Sequence, residues 1–219
     1  RASLFGSAPV FAMPDLSPAS VIALASYLVE GAALGVLAVG LTKAVYWIED
    51  QFEKLPIHWM WWPALGALAV GIVGVFSRHT LGVGYDNIDR ILSGQFLGTA
   101  MIFFCAMKFL SWSIALGSGT SGGTLAPIFT IGGGAGTAIG SFFASLAPAA
   151  GIDVKIAALV GMAATFAGAS RALLASIVFA FETTRQPAGI LPLLGGCAVS
   201  YLVSAFLMRN TIMTERLVR

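Results

Sequence analysis

Charge is what this sequence has least of. Only 10% of its 219 residues are Asp, Glu, Lys or Arg, whereas 58% are hydrophobic. An ordinary soluble domain carries about 25% charged residues, so this chain has too few to solvate a globular surface, and lipid is its natural surrounding. The charges it does have nearly cancel, 12 basic against 10 acidic, which leaves no basic face for a nucleic acid. Histidine occurs twice, as His58 and His79 in turns beside helix ends with no ligand set around them, and no metal site is expected. Cysteine is equally scarce. Cys105 and Cys197 lie inside apolar runs, where a small, weakly polar side chain is an ordinary packing choice, and neither a disulfide nor thiol chemistry is expected. The start has no Met and no charged leader before a short apolar core, so no signal peptide is expected. Gly6 to Pro9 and Pro14 to Pro18 are turn formers, as in a loop within a longer chain.

Apolar length is abundant. A spanning helix needs about 20 apolar residues. Residues 19–48 supply one, interrupted by Glu30 and Lys43 and ending in the cluster Glu49, Asp50, Glu53 and Lys54. Trp59, Trp61 and Trp62 follow as an interfacial aromatic belt. A second helix covers 63–77, and a polar interlude runs from Gly82 to Arg90. Further helices are expected over 95–116, 124–146, 155–168, 170–184 and 188–208, with a more polar one beginning at 210. The fold class is therefore an all-α integral membrane protein. Several of its helices are too short to cross squarely, a feature of transporters.

Between Arg90 and Asp153 the only charged residue is Lys108, and the apolar run is broken by Gly117-Ser-Gly-Thr-Ser-Gly-Gly123. Irregular backbone at membrane depth is tolerated only beside protein or a water-filled cavity. A helix opening at Thr124 would aim unpaired N–H groups and a positive dipole end into that cavity, which is the chemistry of an anion site. A cation path would bring carboxylates or a carbonyl cage, and no acid occurs between Asp89 and Asp153. Gly132, Gly136 and Gly140 differ in kind, forming a small-xxx-small packing ridge. Gly117, Gly119 and Gly122 also satisfy G-x-G-x-x-G, but the preceding element is a long apolar helix rather than a strand, so no dinucleotide cofactor is implied.

The run from Gly117 to Pro127 resembles the G-x-F-x-P region of ClC proteins. Gly82–Asn87 resembles a glycine-rich turn of that family, Ser170–Thr184 its "RAPLT…ELT" stretch, and Ile190-Leu191-Pro192 the start of its following helix. The order and separations agree over nearly the whole chain. The resemblance implies a ClC-type inverted-repeat fold of which residues 19–219 are the second repeat, preceded by an extramembrane loop at 1–18. It further implies a homodimer in the plasma (inner) membrane with one pore per subunit, and chloride as the transported ion. Carried over, the anion-binding positions are Gly123, Thr124, Leu125 and Met213, and the pore loop holds Gly117, Gly119, Ser121, Gly122 and Pro127. The family's Phe is Leu125 here, tolerable because the backbone N–H does the binding. The family's pore tyrosine falls on Met213, which offers no hydroxyl. The family's first-half motifs and gating glutamates have no counterpart in the sequence, so channel and antiporter are both open, as are fluoride and nitrate.

Other residues have structural roles to weigh. Glu30, within a membrane helix, is expected to face a polar cavity or a dimer partner, and Glu182 to pair with Arg171 or Arg185. Lys108 is expected to snorkel or to meet a helix C-terminus. A dimerisation scaffold would leave the glycine loop without purpose. A membrane-embedded hydrolase would need a base near Ser111, Ser113 or Ser121, and none is near in sequence, so no catalytic residue is assigned.

Overall fold

A computed structural model of the chain describes residues 9–14, 16, 18–82, 84–95 and 98–215. The described residues form eight α-helices: α1 Val21–Glu53, α2 Trp62–Phe76, α3 Tyr85–Leu92, α4 Thr99–Gly117, α5 Leu125–Leu146, α6 Val154–Ser170, α7 Leu173–Thr184 and α8 Ile190–Leu207. Single helical turns precede or follow several of them, at Trp59–Trp61, Arg78–Thr80, Pro148–Ala150 and Pro187–Gly189. Five helical stretches are long and apolar enough to cross a membrane: Val21–Glu53, Trp59–Phe76, Thr99–Gly117, Leu125–Leu146 and Pro187–Leu207.

The short helix α6 is the centre of the molecule. It is apolar on every side, and a helix of that kind must be wrapped by others; every residue from Ile156 to Ala164 is buried. α1, α5, α7 and α8 surround it. The closest approach is α5 on α6, which glycine permits. A Cβ on Gly136 would stand 2.4 Å from the Ala157 carbonyl oxygen, and one on Gly161 2.4 Å from that of Gly132. The expected ridge is thus a backbone-to-backbone seam. α1 meets α8 in the same way, with a Cβ on Gly31 only 2.4 Å from the Gly196 oxygen. Serine hydroxyls tie α8 to α6, Ser200 Oγ donating to the Ala164 carbonyl at 2.6 Å and Ser204 Oγ to that of Gly168.

α1 is anchored near both ends. Ser20 caps it, accepting from the Ala23 N–H and donating to the Ala150 carbonyl at 2.7 Å. Tyr27 Oη donates to the Asp153 carbonyl and accepts from the Asp153 N–H, at 3.1 and 3.0 Å. Tyr46 Oη donates to the Ile212 carbonyl at 2.7 Å.

Several expectations are corrected. The polar interlude contains a helix, α3, entered through Gly84 at φ 94° and burying Asn87, Ile88, Ile91 and Leu92 on one face. The segment from 210 opens as a turn rather than a helix, closed by Thr211 and Thr214; residues 216–219 of the expected helix lie outside the described residues. So do residues 1–8, 15 and 17 of the expected loop, whereas Val10 and Phe11 bond to the Thr183 carbonyl at the end of α7. Glu30, expected to face a cavity or a partner, is 1% exposed within the chain, buried in the seam beside Gly136, and among the described residues Oε1 has no hydrogen-bond partner. Of the two partners expected for Glu182, Arg171 and Arg185, the Arg171 guanidinium donates to the Met208 and Arg209 carbonyls beyond α8.

Candidate anion site at the start of α5

α4 stops at Gly117 because the loop that follows is clamped. A Cβ on Gly117 would lie 2.7 Å from Ile48 Cγ2 and 3.1 Å from the Glu49 nitrogen, so the end of α4 rests on the backbone of α1. A Cβ on Gly66 would lie 2.2 Å from Ser118 Oγ, so α2 presses from another side. Ser118 Oγ donates to the Ala115 carbonyl and lies 3.1 Å from Thr120 Oγ1. Gly119 takes φ 80°, a left-handed turn that a side chain would strain. Residues 119–123 are exposed.

α5 then begins with its donors uncovered. Thr124 is the N-cap, yet its side chain makes no capping hydrogen bond. The first N–H groups of a helix have no carbonyl within it, here those of Leu125 and Ala126, and Pro127 has no N–H at all. Twenty-two residues of aligned peptide dipoles stand behind that end.

Two cavities flank it. The first, about 230 Å³, is lined by Leu116, Thr120, Ser121, Gly122 and Thr124, by Val45, Tyr46 and Glu49 of α1, and by Ile212 and Met213. Four positions singled out in the sequence, Ser121, Gly122, Thr124 and Met213, therefore meet around one space. Met213 is 50% exposed. Its turn is pinned from two sides, by Tyr46 on the Ile212 carbonyl and by the Ile212 N–H donating to the Ala169 carbonyl at 3.0 Å. Gly123, Leu125 and Pro127 line the second cavity, about 440 Å³, on which Tyr85, Lys108, Ser111 and Trp112 also open. Gly117 and Gly119 line neither; they shape the loop.

Of the two roles expected for Lys108, the structure shows the second: rather than snorkelling it meets the C-terminal end of the helical turn Arg78–Thr80. It is 4% exposed, and its ammonium donates to the Thr80 carbonyl at 2.8 Å and the Gly82 carbonyl at 3.0 Å. It thereby straps the turn after α2 onto α4 beside the second cavity. Sequence reasoning missed Tyr46 and Glu49. Tyr46 carried no signal, and Glu49 was read only as part of the charged exit of α1.

Comparison with known proteins decides the family. The family model described as "Voltage gated chloride channel" matches residues 1–205. The chain belongs to the voltage-gated chloride channel family. Among curated members, the chloride channel protein CLC-e of Arabidopsis thaliana is 30% identical over 91% of this chain and 31% of its own length. The H(+)/Cl(-) exchange transporter ClcA of Salmonella newport is 29% identical over 98% and 47%. The chain thus spans half or less of the curated members it matches. Among solved structures, a slow cyanobacterial Cl-/H+ antiporter superposes with a TM-score of 0.86 at 26% identity, over 99% of this chain and 51% of that one. A CLC-type fluoride/proton antiporter shares the fold, with a TM-score of 0.73 at 22% identity. The helical arrangement of the described residues is therefore a ClC fold, matched over about half the length of that antiporter.

Proposed function

We propose that this chain is the second half of a ClC-type transport domain and carries chloride across a membrane, binding it at the start of α5. The observation that carries the reading is the 230 Å³ cavity in which Ser121, Gly122, Thr124 and Met213 converge at an uncapped helix N-terminus. Backbone N–H groups and a dipole end attract an anion without a full cationic charge. Such a site can release what it binds, as conduction requires. In this reading Thr124 presents its amide to the ion from the first cavity, with Gly123 and Leu125 beside it on the second, while Gly117, Gly119 and Pro127 hold the loop open. Residues 19–219 form the membrane repeat, in a plasma-membrane homodimer completed by a first repeat. No cofactor and no enzymatic step takes part.

The test is anion efflux from liposomes holding the full-length protein, with chloride, nitrate and fluoride compared. Chloride efflux with proton movement indicates an antiporter, and without it a channel. No efflux of any anion favours the scaffold reading. Residues 1–219 alone are expected to give none, because in an inverted-repeat transporter the other repeat completes the site. Selective chloride flux through 1–219 would refute that part of the proposal.

A further inference from the structure

Glu30 brings a carboxyl group into an apolar seam whose nearest atoms are of the wrong kind for a carboxylate. The residue is 1% exposed, and among the described residues its Oε1 has no hydrogen-bond partner. A Cβ on Gly136 would stand 2.8 Å from that Oε1 and 2.4 Å from the Ala157 carbonyl oxygen. The carboxyl thus crowds the same point as an acceptor, which opposes a negative charge and can offer it no proton. The titratable groups of the surrounding helices are engaged elsewhere. α1 packs against α4, α5, α6 and α8. α5 and α8 contain no Asp, Glu, Lys, Arg or His, and the titratable side chains of α8 are Cys197 and Tyr201. On α4, Lys108 is bound to the Thr80 and Gly82 carbonyls, and Cys105 Sγ faces the Thr130 carbonyl at 3.8 Å. On α6, Lys155 runs toward the loop after α3, its Cε 3.1 Å from the position of a Cβ on Gly94. On α1 itself, Lys43 stands 13 residues away, about 20 Å along the axis. Tyr27, one turn before Glu30, spends its hydroxyl on the Asp153 backbone, and Asp153 Oδ1 accepts from the Lys155 N–H at 2.8 Å.

We propose that Glu30 is a proton-binding site, occupied at neutral pH, and that the uncharged acid seals α1 against the seam of α5 and α6. Burying an unpaired carboxylate costs far more than burying the neutral acid, and a group so placed neutralises instead. A hydronium ion supplies the proton: the carboxyl O–H bond forms and a water molecule is left. The new O–H is also a donor where the carboxylate could only accept, so the opposition with the Ala157 carbonyl is removed. Returning the proton to water restores a full negative charge where Gly136 and Gly161 bring α5 and α6 backbone to backbone. The helices must then part or admit water. This proton site is separate from the anion site proposed at the start of α5, lying about three turns further along that helix.

The experiment is infrared spectroscopy of the purified full-length protein near neutral pH, as wild type and Glu30→Gln. A protonated carboxyl has a C=O stretch that an ionised carboxylate lacks, and the difference between the two proteins isolates that of Glu30. The expected result is one carboxylic acid band present in wild type, absent from Glu30→Gln, and shifted when the O–H exchanges in D2O. Glu30→Gln matches the neutral acid in shape, so its unfolding equilibrium constant is expected within about tenfold of wild type. Where the glutamine variant does not fold, Glu30→Met, apolar and similar in size, removes the same band. Identical spectra in wild type and variant overturn the proposal. So does a glutamine variant that keeps no band difference and is destabilised more than about a hundredfold, because Glu30 is then ionised and paired with a cation outside residues 1–219.

Discussion

Replacing Gly136 by Ala puts one methyl group where the structure has none to spare. The new Cβ would stand 2.4 Å from the Ala157 carbonyl oxygen, 2.7 Å from Gly161 Cα and 2.8 Å from Glu30 Oε1. Two of these are backbone atoms of α6, which no rotamer change can move aside. Relief requires α5 and α6 to separate by about 1 Å, and a gap of that size forfeits about a quarter to a half of each dispersion contact along the seam. Overpacking of a well-filled core costs about 1–3 kcal/mol, and the upper end, about 3 kcal/mol, applies where the clash is backbone on backbone. The same substitution at Gly71 is the control. Nothing lies within 4 Å of its Cβ position, and Ala is favoured over Gly in a helix interior by up to about 1 kcal/mol. The two alanines should therefore differ in stability by at least about 3 kcal/mol, or two decades in the unfolding equilibrium. Equilibrium unfolding of the full-length protein in mixed micelles, followed by tryptophan fluorescence, measures both. A Gly136→Ala protein at least as stable as Gly71→Ala would show that the seam is not closely packed in the membrane.

Three further outcomes follow from single contacts. Met213→Tyr should tighten chloride binding about tenfold by calorimetry, since a hydrogen bond to a charged group is worth about 1.5–3 kcal/mol and half-exposed Met213 leaves room for a ring; unchanged binding places Met213 away from the ion. Lys108→Met should destabilise the protein by about 3 kcal/mol in the same unfolding assay, because the Thr80 and Gly82 carbonyls both lose a charged donor; a loss below about 1 kcal/mol shows that water replaces the ammonium. Tyr46→Phe should cost about 1 kcal/mol and loosen the Met213 turn, seen as faster amide exchange at residues 211–214; unchanged exchange means that the Ala169 carbonyl alone holds it.

Much of this was legible in the sequence, for local reasons. The break at 117–123 announces itself because four glycines within seven residues cannot continue a helix between two apolar runs, and the small-residue ridge on α5 follows from spacing alone. What was not legible depends on partners far along the chain. Lys108 spends its charge on carbonyls 28 and 26 residues earlier, and no local pattern reports that. α3 is eight residues long, too short for its Ile88, Ile91 and Leu92 periodicity to outweigh the turn-forming glycines before it. Glu30 reads as facing a polar cavity or a partner until α5 and α6 are seen to close around it. Glu49 reads as an exit from the membrane until the loop from another helix is folded against it.

One consequence of α1 is mechanical. At 33 residues it is about 50 Å long, against a hydrocarbon layer of about 30 Å, so it must lean steeply or project beyond the slab. Its early turns are riveted to Ala150 and Asp153, its late turns to Ile212 and the floor of the glycine loop. A stiff rod fastened near both tips behaves as a lever whose arms reach opposite sides of the bilayer. Turned about its midpoint by about 10°, a rod of this length swings each tip by about 4 Å, more than the diameter of a water molecule. The 148–153 corner and the walls of the cavity near the other end are therefore joined by one continuous helix, which is itself held at Gly31 and Gly35 against the backbone of α8.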